Sequence, residues 1–503
     1  MSSATNASSP SSSPKQTFPV AKYLKAFSPV IVALVIFLIP APEGLSSNAW
    51  TYFAIFAGVI VGLIIEPVPP ALVGLIGVGV CIWLKLGPKG SGDAETVIKS
   101  GEAVNWGLAG FANGTVWLIF AAFMIGLGYQ KSGLGKRIAL FLLKKLGKTS
   151  LGLGYAISIA DGILAPFIPS NSARSGGIIY PIVSQIPPMV DSHPDKDPRK
   201  LGGYIMWVSL AATCVTSSMF FTGLAPNLLA METAVKSGVE PISWFGWFMA
   251  FLPAGIILFI ATPWLTYVLY PPTSKGSPEA SKWAGEELKK LGAMILKEWL
   301  MIALAVFALV FWIFGSKFGV NATTVAITVV IAMVLLGIIS WQDLLGNKPA
   351  WNVFAWFATL VTLAGGLKNV GFLDFIAGLG GQYLGSIEPM LAFVGLIVFF
   401  YVLHYFFAST TAHVTALLAL FITVASGING IDVKTLTLFL MLTLGIVGII
   451  TPYGTGPSPV YYGAHYIEGK DFWKLGFIFG VIYLVVFLVV CIPWVKYVAY
   501  QWI

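Results

Sequence analysis

The chain has 503 residues, of which 57% are hydrophobic and 10% charged, with a mean hydropathy of +0.85 and a formal net charge of +8. A soluble domain carries roughly 25% charged residues, so this composition excludes a large globular core and describes a polytopic membrane protein. The basic excess is small for the length and falls mostly in loops between apolar runs, where membrane topology places it, so nucleic-acid binding is not suggested.

Residues 1–20 are rich in Ser, Pro, Ala and Asn and read as a disordered tail. No basic segment leads into a cleavable apolar stretch, so a signal peptide is not expected. A first transmembrane helix is predicted over 21–47, with its apolar run near 24–41. Further runs follow near 48–65, 69–86, 115–129, 202–220 and 248–270, then near 298–315, 321–340, 351–367, 433–450 and 473–496. At roughly 20 residues per crossing this makes about 11 transmembrane helices in an all-α chain. Cys81, Cys214 and Cys491 lie far apart in apolar runs, which predicts neither a disulfide framework nor a metal site.

Two apolar regions, 151–186 and 389–428, are each broken in the middle by a polar string. Each is expected to form a reentrant helical hairpin that turns at its polar tip, because irregular backbone at bilayer depth survives only inside protein or beside a water-filled cavity. Lys131, Lys136, Arg137, Lys144, Lys145 and Lys148 precede the first hairpin, and Lys275, Lys282, Lys289, Lys290 and Lys297 surround the central polar loop. This bias puts the N-terminus, the first hairpin and the loop at 273–297 in the cytoplasm, and with eleven crossings the C-terminus outside. The second hairpin then enters from the other side. Lys131 and Lys368, the two polar strings, Pro226 and Pro457, and Trp244 and Trp473 align in a slowly drifting register, which predicts an inverted repeat of 48–272 on 298–503. Amphipathic stretches at 135–148 and 373–384 are expected to lie in the interface as connecting arms.

The polar strings are Ser170-Asn171-Ser172-Ala173-Arg174 and Ser409-Thr410-Thr411-Ala412-His413. Hydroxyls and amides donate hydrogen bonds without a permanent charge, so two such tips suit two carboxylates held reversibly. After each hairpin, a span is interrupted: Thr222-Gly223-Leu224-Ala225-Pro226-Asn227, and Thr451-Pro452-Tyr453-Gly454-Thr455-Gly456-Pro457-Ser458. Proline and glycine unwind a helix there and leave a half-helix N-terminus whose amide groups attract anions. Substrate-binding candidates are therefore Ser170, Asn171, Ser172, Thr222, Gly223, Pro226, Asn227, Ser409, Thr410, Thr411, Thr455, Gly456, Pro457 and Ser458. Asp161 either pairs with Arg174 or reaches the surface. His404 and His465 read as packing residues, and Glu232 as solvated near the external end of its span. Neither HExxH nor GxSxG occurs, so no enzyme activity, cofactor or metal is expected.

These paired tips and breaks resemble the divalent anion/sodium symporter family over essentially the whole chain after residue 20. The resemblance implies a homodimer in the cell membrane, with a scaffold domain and a transport domain that moves like an elevator, and carboxylate substrates. Members carry a Ser-Asn-Thr signature at both tips, and in sodium-coupled members the tips and breaks also coordinate sodium. This chain departs from that pattern, with Thr410 where Asn is usual and Ser458 closing the second break. Arg174 and His413, at equivalent positions, are expected to stand where sodium otherwise would, as sodium-substituting cations. The chain thus looks most similar to the exchanger branch, which includes bacterial citrate/succinate and 2-oxoglutarate/succinate antiporters and plastid 2-oxoglutarate/malate translocators. Two fixed positive charges would hinder the return of an empty carrier, because a charge at the bilayer centre costs about 2.5–3.5 kcal/mol or more. A dianion cancels them, so sodium-independent obligatory exchange of di- or tricarboxylates (succinate, malate, 2-oxoglutarate, with citrate as a further candidate) is expected. A sodium-coupled dicarboxylate symporter is the alternative.

Overall fold

A computed structural model describes residues 20–384 and 387–503, with side chains for all of these except 20–25, 316 and 384. The expected tail at 1–20 falls almost wholly outside the described residues. Among the described residues the chain is all-helical, and its only β pairing is a bridge between Thr149 and Gly276. Every predicted apolar run falls on a helix.

The first half contains α1 (Val20–Leu38), α2 (Ser47–Ile65), α3 (Pro70–Leu84), α4 (Ser100–Leu108), α5 (Gly114–Ser132) and the amphipathic α6 (Leu134–Leu146). Then come α7 (Ser150–Leu164), a π-helical turn over Ser172–Ile179, the short α8 (Tyr180–Val183), α9 (Gly202–Met219), α10 (Ala225–Lys236) and α11 (Trp244–Leu269). Helix α12 (Pro278–Lys290) fills the central polar loop. The second half runs through α13 (Leu296–Phe314), α14 (Ala322–Leu335), α15 (Trp341–Gly346), α16 (Lys348–Asn369), α17 (Phe372–Leu384), α18 (Pro389–Leu403), α19 (Thr410–Ser426), α20 (Val433–Ile446), α21 (Ser458–Tyr462) and α22 (Gly469–Tyr497).

Among the described residues, by length and composition alone, seven helical stretches are long and apolar enough to cross a membrane, one of them Ser100–Ser132, which joins α4 and α5 through a short 3₁₀ turn, and several shorter apolar helices accompany them. The predicted run near 115–129 lies within α5, the second part of this stretch. Asn113 starts its second part by accepting from the Thr115 and Val116 amides at 2.8 and 3.1 Å.

The same order of elements recurs in the two halves. Helices α6 and α17 are both 13 residues long, and α7 and α18 both 15. Gly133 after α5 and Gly371 after α16 both adopt left-handed backbone, at φ +80° and +81°. That conformation is nearly free for glycine and turns each chain sharply into its arm. Packing between halves is paired in the same way: α3 lies on α16 and α14 on α5, while α9 meets α20 and α11 meets α22.

Helices α9 and α20 are buried on every side, as their apolar sequences around the full circumference require. They approach at Gly445, where a Cβ would overlap the Ser218 backbone. Trp207 is wholly buried between Phe472 and Phe479, at 5.0 and 5.5 Å between ring centres. The outer helices instead expose large apolar side chains, with Trp83 88% and Leu335 80% exposed, a surface that a bilayer covers.

Candidate functional site

Each hairpin places its polar string where two helix segments meet end on. In the first, α7 ends at Leu164, the chain turns through Pro166 and Pro169, and Ser170 opens the π-helical turn. Ser170 Oγ accepts from the Ala173 amide at 3.1 Å. In the second, Ser409 caps α19 by accepting from the Ala412 amide at 3.2 Å, so the positive end of a 17-residue helix opens at that tip.

The first break is knitted to the first tip. Thr222 donates to the Pro166 carbonyl at 2.5 Å and accepts from Trp244 Nε1 at 3.0 Å. The Ala225 amide donates to Pro169 at 2.6 Å, where Pro226 opens α10. Asn227 spends its amide N–H groups on the Ser217 and Phe220 carbonyls at 2.8 and 3.3 Å, leaving Oδ1 buried without a protein donor. Thr222, Gly223, Pro226 and Asn227 are thus buried and largely committed to holding tip and break as one body.

Arg174 is the hub of that body and is fully buried. Its Nε pairs with Asp161 Oδ1 at 3.1 Å. Nη1 donates to the carbonyls of Ile168 in the tip and Gly223 in the break, both at 2.8 Å, and Nη2 reaches Thr213, Thr216 and Ser217 at 3.1–3.3 Å. Thr216 also donates to Asp161 Oδ2 at 2.5 Å. Asp161 therefore pairs with Arg174 and does not reach the surface. The expectation of two uncompensated positive charges fails at this position, because the carboxylate cancels the guanidinium within the same cluster.

The second tip is built differently. His404 hydrogen-bonds the Gly454 carbonyl at 2.7 Å, and Thr410 donates to the same oxygen at 3.2 Å. His413 is buried, with neither ring nitrogen hydrogen-bonded to protein, and lies against Phe400, His404 and Phe407 at 4.2, 4.9 and 5.2 Å between ring centres. In the register that matches α7 with α18, Phe400 stands opposite Asp161. The second half therefore supplies an aromatic ring where the first supplies a carboxylate.

The first tip also meets the second break. Asn171 Nδ2 donates to Thr455 Oγ1 at 2.7 Å, Ser175 and Tyr461 share a hydroxyl contact at 2.8 Å, and a Cβ on Gly456 would overlap Ser172 Oγ. Ser172 and Gly456 are exposed, Ser170 and Ser409 half-buried, and Asn171, Thr410, Thr411, Thr455, Pro457 and Ser458 buried. The groups with room to meet a ligand are thus Ser170, Ser172, Ser409 and the backbone at Gly456. A cavity of about 370 Å³ is lined by Ser170 and Ser172 together with Phe123, Leu127, Gln130 and Asn347.

Sequence reasoning missed the hydroxyls of α9. Thr213, Thr216 and Ser217 follow the spacing of one helix face inside an apolar helix, a readable signal for a buried polar partner. Glu232 is also corrected: it is 7% exposed and accepts from Asn113 Nδ2 at 2.7 Å and Thr115 Oγ1 at 3.0 Å, so it is a buried tie to α5 and not a solvated end.

Helical crossings, broken helices and polar tips buried at their meeting point define a polytopic membrane transporter. Solved structures agree on the fold: the Alcanivorax borkumensis YdaH transporter (TM-score 0.57, 14% identity) covers 85% of this chain and 98% of its own. Neisseria gonorrhoeae MtrF (TM-score 0.56, 11% identity) covers 93% and 98%. The sodium:sulfate symporter transmembrane region matches residues 20–501, and the chain belongs to this family, the divalent anion/sodium symporters. The citrate/succinate antiporter of Escherichia coli K12 is 45% identical over 474 residues, 93% of this chain and 97% of that one. The L-tartrate/succinate antiporter of the same strain is 45% identical over 486 residues, 95% and 99% of the two chains.

Proposed function

We propose that this protein exchanges four- and five-carbon dicarboxylates (succinate, malate, 2-oxoglutarate), with citrate and tartrate as further candidates, by sodium-independent obligatory antiport. The observation that carries the reading is the position of Arg174. Its guanidinium takes the Ile168 and Gly223 carbonyls and the Asp161 carboxylate, a set of hard oxygens that otherwise suits a metal cation. A permanent side-chain cation cannot be released, so the tip stays assembled without sodium. The two relatives named above, antiporters of succinate against citrate or tartrate, support the same class.

In this reading Ser170, Ser172 and the Gly456 backbone hold one carboxylate, and Asn171, Thr455, Pro457 and Ser458 support them from the buried side. Ser409 at the N-terminus of α19 holds the other, with Thr410 and Thr411 buried behind it. Thr222, Gly223, Pro226 and Asn227 shape the first tip from behind. His413, with no carboxylate facing it, supplies a positive charge when protonated, and the dianion offsets it. The two halves form an inverted repeat of 48–272 and 298–503, with about 11 crossings, and the hairpins with α9 to α11 and α20 to α22 move as the transport domain. The scaffold, α1 to α5 and α13 to α16, holds a homodimer together in the cell membrane, with the N-terminus cytoplasmic and the C-terminus outside.

Counterflow in proteoliposomes tests this. Labelled succinate is expected to enter only vesicles preloaded with a dicarboxylate, at equal rates in sodium and choline buffers. Efficient uptake into empty vesicles, or uptake that needs sodium, would sink it and favour the symporter.

A further inference from the structure

We infer that Gln130 and Asn347 form a second carboxylate subsite on the scaffold wall of the cytoplasmic vestibule, where a dicarboxylate pauses between the first hairpin tip and the cytoplasm. The inference rests on the exchange reading above and extends it to residues outside the tips and breaks.

The cavity beside Ser170 and Ser172 has a volume of about 370 Å³. At about 30 Å³ per water it holds roughly a dozen waters, enough for a small dicarboxylate with part of its hydration. A second cavity of about 360 Å³ shares Gln130 and continues past Lys136 and Gln185, on the side marked cytoplasmic by the basic arm. Gln130 is thus the side chain common to the approach and to the chamber at the tip.

Both amides have donors to spare. Among the described residues, no protein group accepts from the Gln130 side chain. Asn347 uses Oδ1 on the Ala350 amide at 3.5 Å, while Nδ2 faces only Met124 Sδ at 3.6 Å, a weak acceptor. Gln130 and Asn347 therefore line one chamber together with the Ser170 and Ser172 hydroxyls, and neither –NH₂ group has an oxygen partner among the described residues. Like those hydroxyls, they bind a carboxylate without holding it by charge.

The test uses full-length protein in oriented proteoliposomes, with succinate as the probe and KM measured separately at each face. Gln130→Leu and Asn347→Leu are expected to raise the cytoplasmic KM about three- to tenfold, as loss of one neutral hydrogen bond does, and to leave the external KM within about twofold. Gln130→Glu, nearly isosteric, places a repelling carboxylate in the chamber and is expected to raise the cytoplasmic KM further. Equal changes at both faces, or an unchanged cytoplasmic KM in Gln130→Glu, would overturn the subsite. If the unaltered protein shows no succinate counterflow, the exchange reading fails as well; if counterflow is intact and only the sidedness is missing, the subsite alone fails.

Discussion

Replacing Arg174 with Ala removes a guanidinium that joins tip, break and α9 through six groups, and leaves Asp161 buried with Thr216 as its remaining donor. Removing one partner of a buried ion pair costs about 3–5 kcal/mol, because the remaining charge is desolvated without compensation. What remains, though, is a carboxylate, two carbonyls and three hydroxyls converging on a space the size of the missing group, a set of oxygens that suits a hard cation. Arg174→Ala is therefore expected to lose thermal stability and succinate exchange in choline buffer, and to recover a substantial part of both in sodium chloride at the same ionic strength. Scanning fluorimetry and counterflow in parallel measure this, with the unaltered protein as the sodium-insensitive control. Equal stability in sodium and choline would refute the argument that the guanidinium fills a cation's place. Stability and exchange matching the unaltered protein would refute the account of the hub itself.

Gly456→Ala sets a methyl group against Ser172 Oγ at the accessible part of the site, so exchange is expected to fall by about tenfold or more while the protein remains folded, as size-exclusion profile and counterflow together show. His413→Phe replaces an imidazole that has no hydrogen-bonded partner with a ring matching its aromatic neighbours. Thermal stability is expected to hold or rise, and exchange to fall; full exchange in this variant would remove His413 from the charge balance. Outside the membrane, Lys131 at 2.8 Å and Ser340 beside it hold the Asp343 carboxyl well below its usual range near 3.8. A depressed carboxylate stabilises above its unfolded value and loses that contribution as pH falls through the folded one, so this contact is expected to leave stability flat from about pH 5 to 8, with Asp343→Asn showing the same flat profile.

The helices, both hairpins and both breaks were legible because their signals are local: an apolar run, a polar string, a Pro and Gly pair. Partnership was less legible. Asp161 and Arg174 sit on opposite arms of one hairpin and meet only once it closes, and Glu232 finds Asn113 and Thr115 more than a hundred residues away. Residue type also failed to separate roles. Thr222 and Asn227 read as ligand donors, yet their N–H and O–H groups are spent on the carbonyls of Pro166, Ser217 and Phe220. Ser172 and Gly456, by contrast, earn their exposure only through a contact between the two halves of the chain.

The neutrality of the Arg174–Asp161 pair has an electrical consequence. A unit charge crossing the full membrane field gains or loses about 2.3 kcal/mol per 100 mV, whereas a paired cation and anion moving together sense almost none of it. The hub of the first hairpin is therefore invisible to the membrane potential. Under the exchange proposed above, swapping one dianion for another runs without current, while a dianion against a trianion carries one net charge per turnover, so the substrates decide whether voltage drives the cycle.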